Sequence, residues 1–323
     1  MVVELKIGNA KDCEISQIVS LVAEINSNPK SRCLQVDVEQ ESILAEFKEL
    51  DAPLSEVFLV ARQGQEIVGA LGLDLDREGE CVWLLGPFSH TSTINEALLS
   101  AAYKSLPDWV KKLRQYFDER SVKLIELHEN HWFRTTSLNY QYKAQAADFT
   151  ASLDEATSFI EGKEEEAFRK LHELHFPQTW LSASAILERN GKDIAVFVTK
   201  EKEELSGYVC ASIHPTNIEG TVEYVAVKES FRSKGLGGKL INRALYWLFI
   251  ERKVKSVQLV VEAQKKGAHR LYERCGFNLD TVGIAMSLDK EVTRALETEW
   301  HVHSALGKIL QSKGIRLVAD CSW

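Results

Sequence analysis

The feature that most constrains this chain is an internal echo: two stretches of about 85 residues run through the same series of patterns in the same order. VFLV at 57–60 passes through a charged turn into IVGALGLDL at 67–75, and VFVT at 196–199 passes through EKEEL into SGYVCASI at 206–213. Both read as β-hairpins, and Gly69 and Gly207 fall at matching places 138 residues apart. A third strand follows in each, VWLL at 82–85 and VEYVAV at 222–227. An amphipathic helix comes next, NEALLSAAYKSL at 95–106 and GGKLINRALYWLFIER at 237–252. The echo then predicts a strand in each half, KLIELH at 123–128 and SVQLVVEA at 256–263, and sets Tyr140 opposite Phe277, 137 residues on. Strands alternating with helices imply a layered α/β chain with two copies of one domain.

A boundary is expected where YKAQAADFTASLDEA loses periodicity, giving domains 1–146 and 147–323. Within the second, 164–175 carries a helical stripe broken at Phe176-Pro177, and a short LSASAILER segment follows. Residues 291–314 read as a C-terminal helix ended by Gly314, a packing helix or, alternatively, one whose Trp300, His301 and His303 line a pocket, and 315–320 as a last strand.

Lys plus Arg number 39 and Asp plus Glu 47, a net charge of −8, which argues against general attraction to nucleic acid or an anionic membrane. The six cysteines (Cys13, Cys33, Cys81, Cys210, Cys275 and Cys321) are scattered without a CxxC pair or zinc spacing, so they read as reduced and no metal is expected. Without a leader pattern or a long apolar run, the expectation is a cytoplasmic protein, monomeric or homodimeric, with no membrane partner.

Chemistry concentrates in VEYVAVKESFRSKGLGGKL at 222–240, a strand, a glycine-rich bend and a helix. Gly235, Gly237 and Gly238 allow successive backbone amides at a helix N-terminus to face a pyrophosphate, and Lys228, Arg232, Lys234 and Lys239 set positive charge around the bend. Neither GxxxxGK[ST] nor GxGxxG fits, so a nucleoside triphosphatase and a dinucleotide enzyme are disfavoured.

Arg232-Ser233-Lys234-Gly235-Leu236-Gly237 resembles the acyl-CoA motif of the Gcn5-related N-acetyltransferase (GNAT) superfamily, and Ala268, Leu271-Tyr272-Glu273 and Gly276-Phe277 resemble its A..LYE..GF ending. The resemblance is strong over 194–290 and weak over 1–143. It implies two tandem acyl-CoA N-acyltransferase-like domains of layered α+β type, each with a mixed, mostly antiparallel central sheet flanked by helices. It further implies that acetyl-CoA is the acyl donor, that Val225, Ala226 and Val227 pair with the pantetheine arm, and that Arg232, Ser233, Lys234, Gly235, Leu236, Gly237, Gly238 and Lys239 cradle the phosphates, with Ala268 beside them. Lys265 departs from the family, standing where many relatives carry Asn, and a lysine there can approach a CoA phosphate instead.

The implied reaction is direct transfer of an acetyl group to a primary amine of unidentified acceptor, with Glu223 as candidate base and Tyr272 as candidate proton donor to the leaving thiol. Asp280 and the Cys275/His269 pair are weaker candidates. The alternative reading is a noncatalytic acyl-CoA-binding sensor or partner-binding protein. The first half, LLGPFSHTSTINEALL at 84–99, lacks both the glycine cradle and any Lys or Arg, and HENHWFRTTSLNY lacks the A..LYE..GF pattern, so this half is expected to be degenerate and free of cofactor. His128, His131 and Trp132 read there as packing residues or, alternatively, as substrate readers.

Overall fold

A computed structural model describes residues 3–150, 156–177, 179, 181–213, 219–291 and 315–320. The expected helix at 291–314, with Trp300, His301 and His303, lies outside the described residues.

The chain packs as two compact units, Met1–Leu138 with Gly283–Trp323, and Asn139–Val282. The first unit thus combines an N-terminal and a C-terminal stretch of the chain.

In the first unit, β1 (Val3–Asn9), α1 (Ile15–Asn26), α2 (Gln40–Lys48) and α3 (Leu54–Val57) precede β2 (Phe58–Gln63), β3 (Glu66–Asp76) and β4 (Cys81–Ser89). These are followed by α4 (Ser92–Lys104), β5 (Lys112–Asp118), α5 (Val122–Asn130) and the start of β6 (Arg134–Gln145). Strands β1 to β4 are antiparallel neighbours, and β4 meets β5 in parallel only at Cys81–Trp83 against Lys112–Arg114. The second unit takes the rest of β6, then β7 (Thr157–Phe159), α6 (Glu165–His175), α7 (Ala183–Arg189), β8 (Ile194–Glu201), β9 (Glu204–Ile213) and β10 (Glu219–Val227). It continues through α8 (Leu236–Tyr246), β11 (Ser256–Glu262), α9 (Lys266–Arg274) and the first residues of β12 (Asn278–Asp289). The remainder of β12 pairs with β5, and β13 (Ile315–Asp320), the expected last strand, pairs in parallel with β1, both within the first unit.

The second unit has a core on each face of its sheet. Leu240, Ile241, Ala244 and Leu245 of α8 recur at helical spacing and pack on Phe197, Val209, Ala211 and Val222. Phe168, Leu171 and Ile186 of α6 and α7 cover the other face, against Val196, Val198, Tyr208 and Tyr224. Gly207 lets α8 approach: a Cβ there would lie 2.8 Å from the Ala226 carbonyl oxygen and 3.2 Å from Leu240. Gly69 does the same in the first unit, where a Cβ would lie 2.6 Å from Ile94 of α4.

The echo is therefore real, but its register changes. The starts of β3 and β9 (66 and 204) are 138 apart, whereas the starts of α4 and α8 (92 and 236), α5 and α9 (122 and 266), and β6 and β12 (134 and 278) are 144 apart. Six residues separate these offsets because β10 reaches α8 through residues 228–235, while β4 reaches α4 through 90 and 91 alone. This corrects two expectations. KLIELH is part of helix α5, burying Leu124 and His128 one helical turn apart, and the strand of that half is β5 instead. Phe277 corresponds to Phe133, both buried, and not to Tyr140.

Candidate active site

Strands β10 and β11 are parallel neighbours only at Glu219–Thr221 against Ser256–Gln258. Beyond Thr221 they part, opening a cleft of about 1060 Å³ within the second unit, lined by Val222–Val227 on one side and Leu259–Glu262 on the other. The glycine-rich bend and the start of α8 form one end, and Ala268, Leu271, Tyr272 and Arg274 of α9 form a wall.

At the bend, Gly235 has φ of +78° and caps α8 in the left-handed conformation that glycine adopts without steric cost. The amides of Ser233, Lys234, Gly235, Leu236 and Gly237 have no acceptor among the described residues. Hydrogen bonding resumes where Gly238 and Lys239 donate to the Gly235 carbonyl at 3.1 and 3.2 Å. No side chain among the described residues caps this helix. Successive free donors at the positive end of a helix form a site for an anion. Arg232 closes the loop by donating from Nε to the Val227 carbonyl at 3.2 Å.

Thirteen of the fifteen residues expected at the site line the cleft: Glu223, Val225, Ala226, Val227, Arg232, Ser233, Gly235, Leu236, Gly237, Gly238, Lys265, Ala268 and Tyr272. Lys234 and Lys239 do not; Lys234 lies over the Phe231 ring, 5.1 Å from its centroid. Lys228 is paired with Glu204 at 2.6 Å, and Lys265 with Glu262 at 3.6 Å. Lys266 and Arg274 line the cleft without having been singled out, as do His175 and Phe176 at the end of α6. His175 is half-buried, and its pKa is lowered first by burial and then by the charge of Arg232. These contributions come from tertiary placement, which no local motif announces.

Glu223 sits at a β-bulge, since Val222 pairs with Ala211 and Tyr224 with Cys210, leaving Glu223 between them unpaired. The bulge resolves which way its side chain points. Tyr224 joins the core beneath α6 and α7, and Glu223 accepts a hydrogen bond from Ser212 Oγ at 2.5 Å with the Arg189 charge of α7 nearby. Burial raises the Glu223 pKa, partly offset by Ser212 and Arg189. Tyr272 is buried on α9, its pKa pushed up to about 12 by burial, and its hydroxyl has no protein partner among the described residues. It therefore remains a proton donor at neutral pH. His269 faces Tyr142 Oη at 3.1 Å and the Glu262 carbonyl at 3.1 Å rather than Cys275, and Asp280 is exposed outside the cleft.

The corresponding place in the first unit is filled by its own chain. Where β4 diverges from β5, residues 32–34 take over the free edge of β5: Leu34 N donates to the Tyr116 carbonyl at 2.8 Å, Asp118 N to the Arg32 carbonyl at 3.2 Å, and Cys33 bridges Phe117. Buried Gln115 donates across the divergence to the Gly86 carbonyl. The α4 N-terminus is capped by Thr91 Oγ1, which accepts from Ile94 N at 3.3 Å. In the register of 144, Leu127-His128-Glu129 and Trp132-Phe133 stand where the second unit has Leu271-Tyr272-Glu273 and Gly276-Phe277, and Trp132 shares the positive φ of Gly276. His128 replaces Tyr272. It is fully buried between Phe117 and Phe133, its pKa held down to about 3 by burial, with Nδ1 on the Leu124 carbonyl at 2.8 Å. This makes His128 a packing residue.

Residues 164–277 match the sequence profile described as the Acetyltransferase (GNAT) family. That segment is a GNAT domain. No curated protein matches the chain by sequence. Solved structures are similar in fold over most of the chain. A GCN5-related N-acetyltransferase from Sphaerobacter thermophilus is 16% identical with a TM-score of 0.68, covering 88% of this chain and 96% of that one. A tandem GNAT protein from the clavulanic acid biosynthesis pathway is 14% identical with a TM-score of 0.65, covering 88% and 98%. A third, a putative acetyltransferase from Pyrococcus horikoshii, is 12% identical with a TM-score of 0.57, covering 88% and 89%. The likeness in fold thus runs over both units, and the first unit keeps the strand order but lacks the cradle. Among the described residues no helix is long and apolar enough to cross a membrane, and no three His, Cys, Asp or Glu side chains cluster as metal ligands.

Proposed function

We propose that the GNAT domain of the second unit transfers an acetyl group from acetyl-CoA directly to a primary amine. The observation that carries this reading is the run of amides from Ser233 to Gly237 without acceptors among the described residues, at the end of the cleft where β10 and β11 part. The donor set suits a pyrophosphate, and the unpaired edge of β10 at Val225–Val227 suits an amide-bearing arm. Lys265, Lys266 and Arg274 add positive charge along the same cleft.

Acetyl-CoA supplies a thioester whose carbonyl an amine attacks and whose thiol leaves. Glu223, with its pKa raised by burial, takes the proton of the amine, directly or through water. Tyr272 Oη, free of protein partners among the described residues, gives a proton to the departing sulfur. The test is thiol release from acetyl-CoA on addition of a panel of amines. Amine-dependent release that falls in Glu223→Gln and Tyr272→Phe supports the reading; tight acetyl-CoA binding without amine-dependent release supports a noncatalytic sensor instead.

A further inference from the structure

Tyr224 follows Glu223 directly after the bulge, and its side chain does not reach toward the cradle. Its hydroxyl is hydrogen-bonded to Thr179 Oγ1 at 2.6 Å, and its ring packs edge-on against His172 and tilted against Phe176, each with centroids 4.8 Å apart. Thr179 belongs to the connection between α6 and α7, which has a second tie: His172 Nε2 faces the Leu181 carbonyl at 3.1 Å. A ring nitrogen facing a carbonyl carries the proton, so Nδ1 is left to accept from Tyr208 Oη at 2.7 Å, and burial, which lowers the His172 pKa, favours that neutral form. Phe176, where the connection begins, lines the cleft together with Glu223 and Tyr224. One strand residue thus joins the candidate base to the wall above it.

We propose that Tyr224 is a positioning residue that latches the α6–α7 connection, through Thr179 and Phe176, as the acceptor-side wall of the cleft. This rests on the acetyltransferase reading given above. Tyr224 faces the core under α6 and α7, whereas the free amides lie at the start of α8, which packs on the opposite face of the sheet. Loosening the latch should therefore disturb the amine site and spare acetyl-CoA binding.

The experiment compares the full-length protein with Tyr224→Phe and Thr179→Val, the second altering a half-buried connection residue with little risk to the core. In hydrogen exchange, peptides spanning 176–182 should exchange about 5-fold faster in both variants, the effect of losing one neutral hydrogen bond, and the double variant should add nothing further. With the best acceptor among tyramine, glucosamine, spermidine and glycinamide, KM for the amine should rise about 5-fold by the same reasoning, while kcat and acetyl-CoA affinity stay unchanged. Unchanged exchange in 176–182 overturns the latch. A loss of acetyl-CoA affinity or kcat in step with KM overturns the positioning role. If wild type turns over none of these amines, the transferase reading is what fails, and the latch is judged on exchange alone.

Discussion

Ser212 Oγ donates to the Glu223 carboxylate at 2.5 Å from the neighbouring strand, beside the bulge that frees Glu223 from the β-ladder. Burial favours the protonated acid, and the Ser212 hydrogen bond and the Arg189 charge favour the carboxylate. Because a base must be ionised, kcat/KM should fall on the acid side as Glu223 takes up a proton. Removing the hydroxyl in Ser212→Ala raises the pKa further, so the acid limb should move to higher pH. Rate profiles of wild type and Ser212→Ala check this; a limb that does not move, or moves down, removes Glu223 from the role of base.

Tyr272 stands on α9 with its pKa near 12, so its proton stays in place across the physiological range. Tyr272→Phe should lower kcat by roughly 10²-fold, the scale of general-acid catalysis, while leaving acetyl-CoA affinity nearly unchanged, since the ring and its packing on Phe277 remain. Equilibrium binding and single-turnover rates separate these effects. An equal loss in both would mean that the hydroxyl serves binding.

Gly69 and Gly207 are matched positions that admit a helix over each sheet, but their obstacles differ. A methyl at 207 meets a backbone carbonyl at 2.8 Å, and one at 69 meets the Ile94 Cγ2 methyl, on a β-branched helical residue stiff at χ1, at 2.6 Å. Each change to alanine should destabilise by about 1–3 kcal/mol. Gly162, with no atom within 4 Å of its hypothetical Cβ, should tolerate alanine. Urea unfolding of the three variants gives the ranking.

Much of this was legible from residues alone. The hairpins, the cradle and the α9 motif are local patterns, in which glycine spacing and hydrophobic period follow directly from the conformation required. The second half of the echo was harder to read because six residues of the cradle loop are missing from the first unit, shifting every later match from 138 to 144. In the unshifted register KLIELH lay opposite a strand, and the kinship of Leu127-His128-Glu129 with Leu271-Tyr272-Glu273 was hidden. The direction of Glu223 follows from the bulge, a departure from strand alternation that no local pattern announces. His175, Phe176 and Tyr224 gained their places from α6 packing across the sheet, a long-range contact without a short signature. The filling of the first cleft by residues 32–34 is equally nonlocal, since Cys33 and Phe117 are far apart in sequence.

The central claim is that one of two related clefts is built for acyl-CoA and the other is closed by its own chain. Calorimetric titration of the full-length protein with acetyl-CoA tests it most directly. One site per chain should be found, and Gly237→Glu should abolish it, since a carboxylate among the free amides repels a pyrophosphate and a Cβ there would lie 3.1 Å from Leu271. Two sites per chain, no binding by wild type, or unaltered affinity in Gly237→Glu would contradict the account.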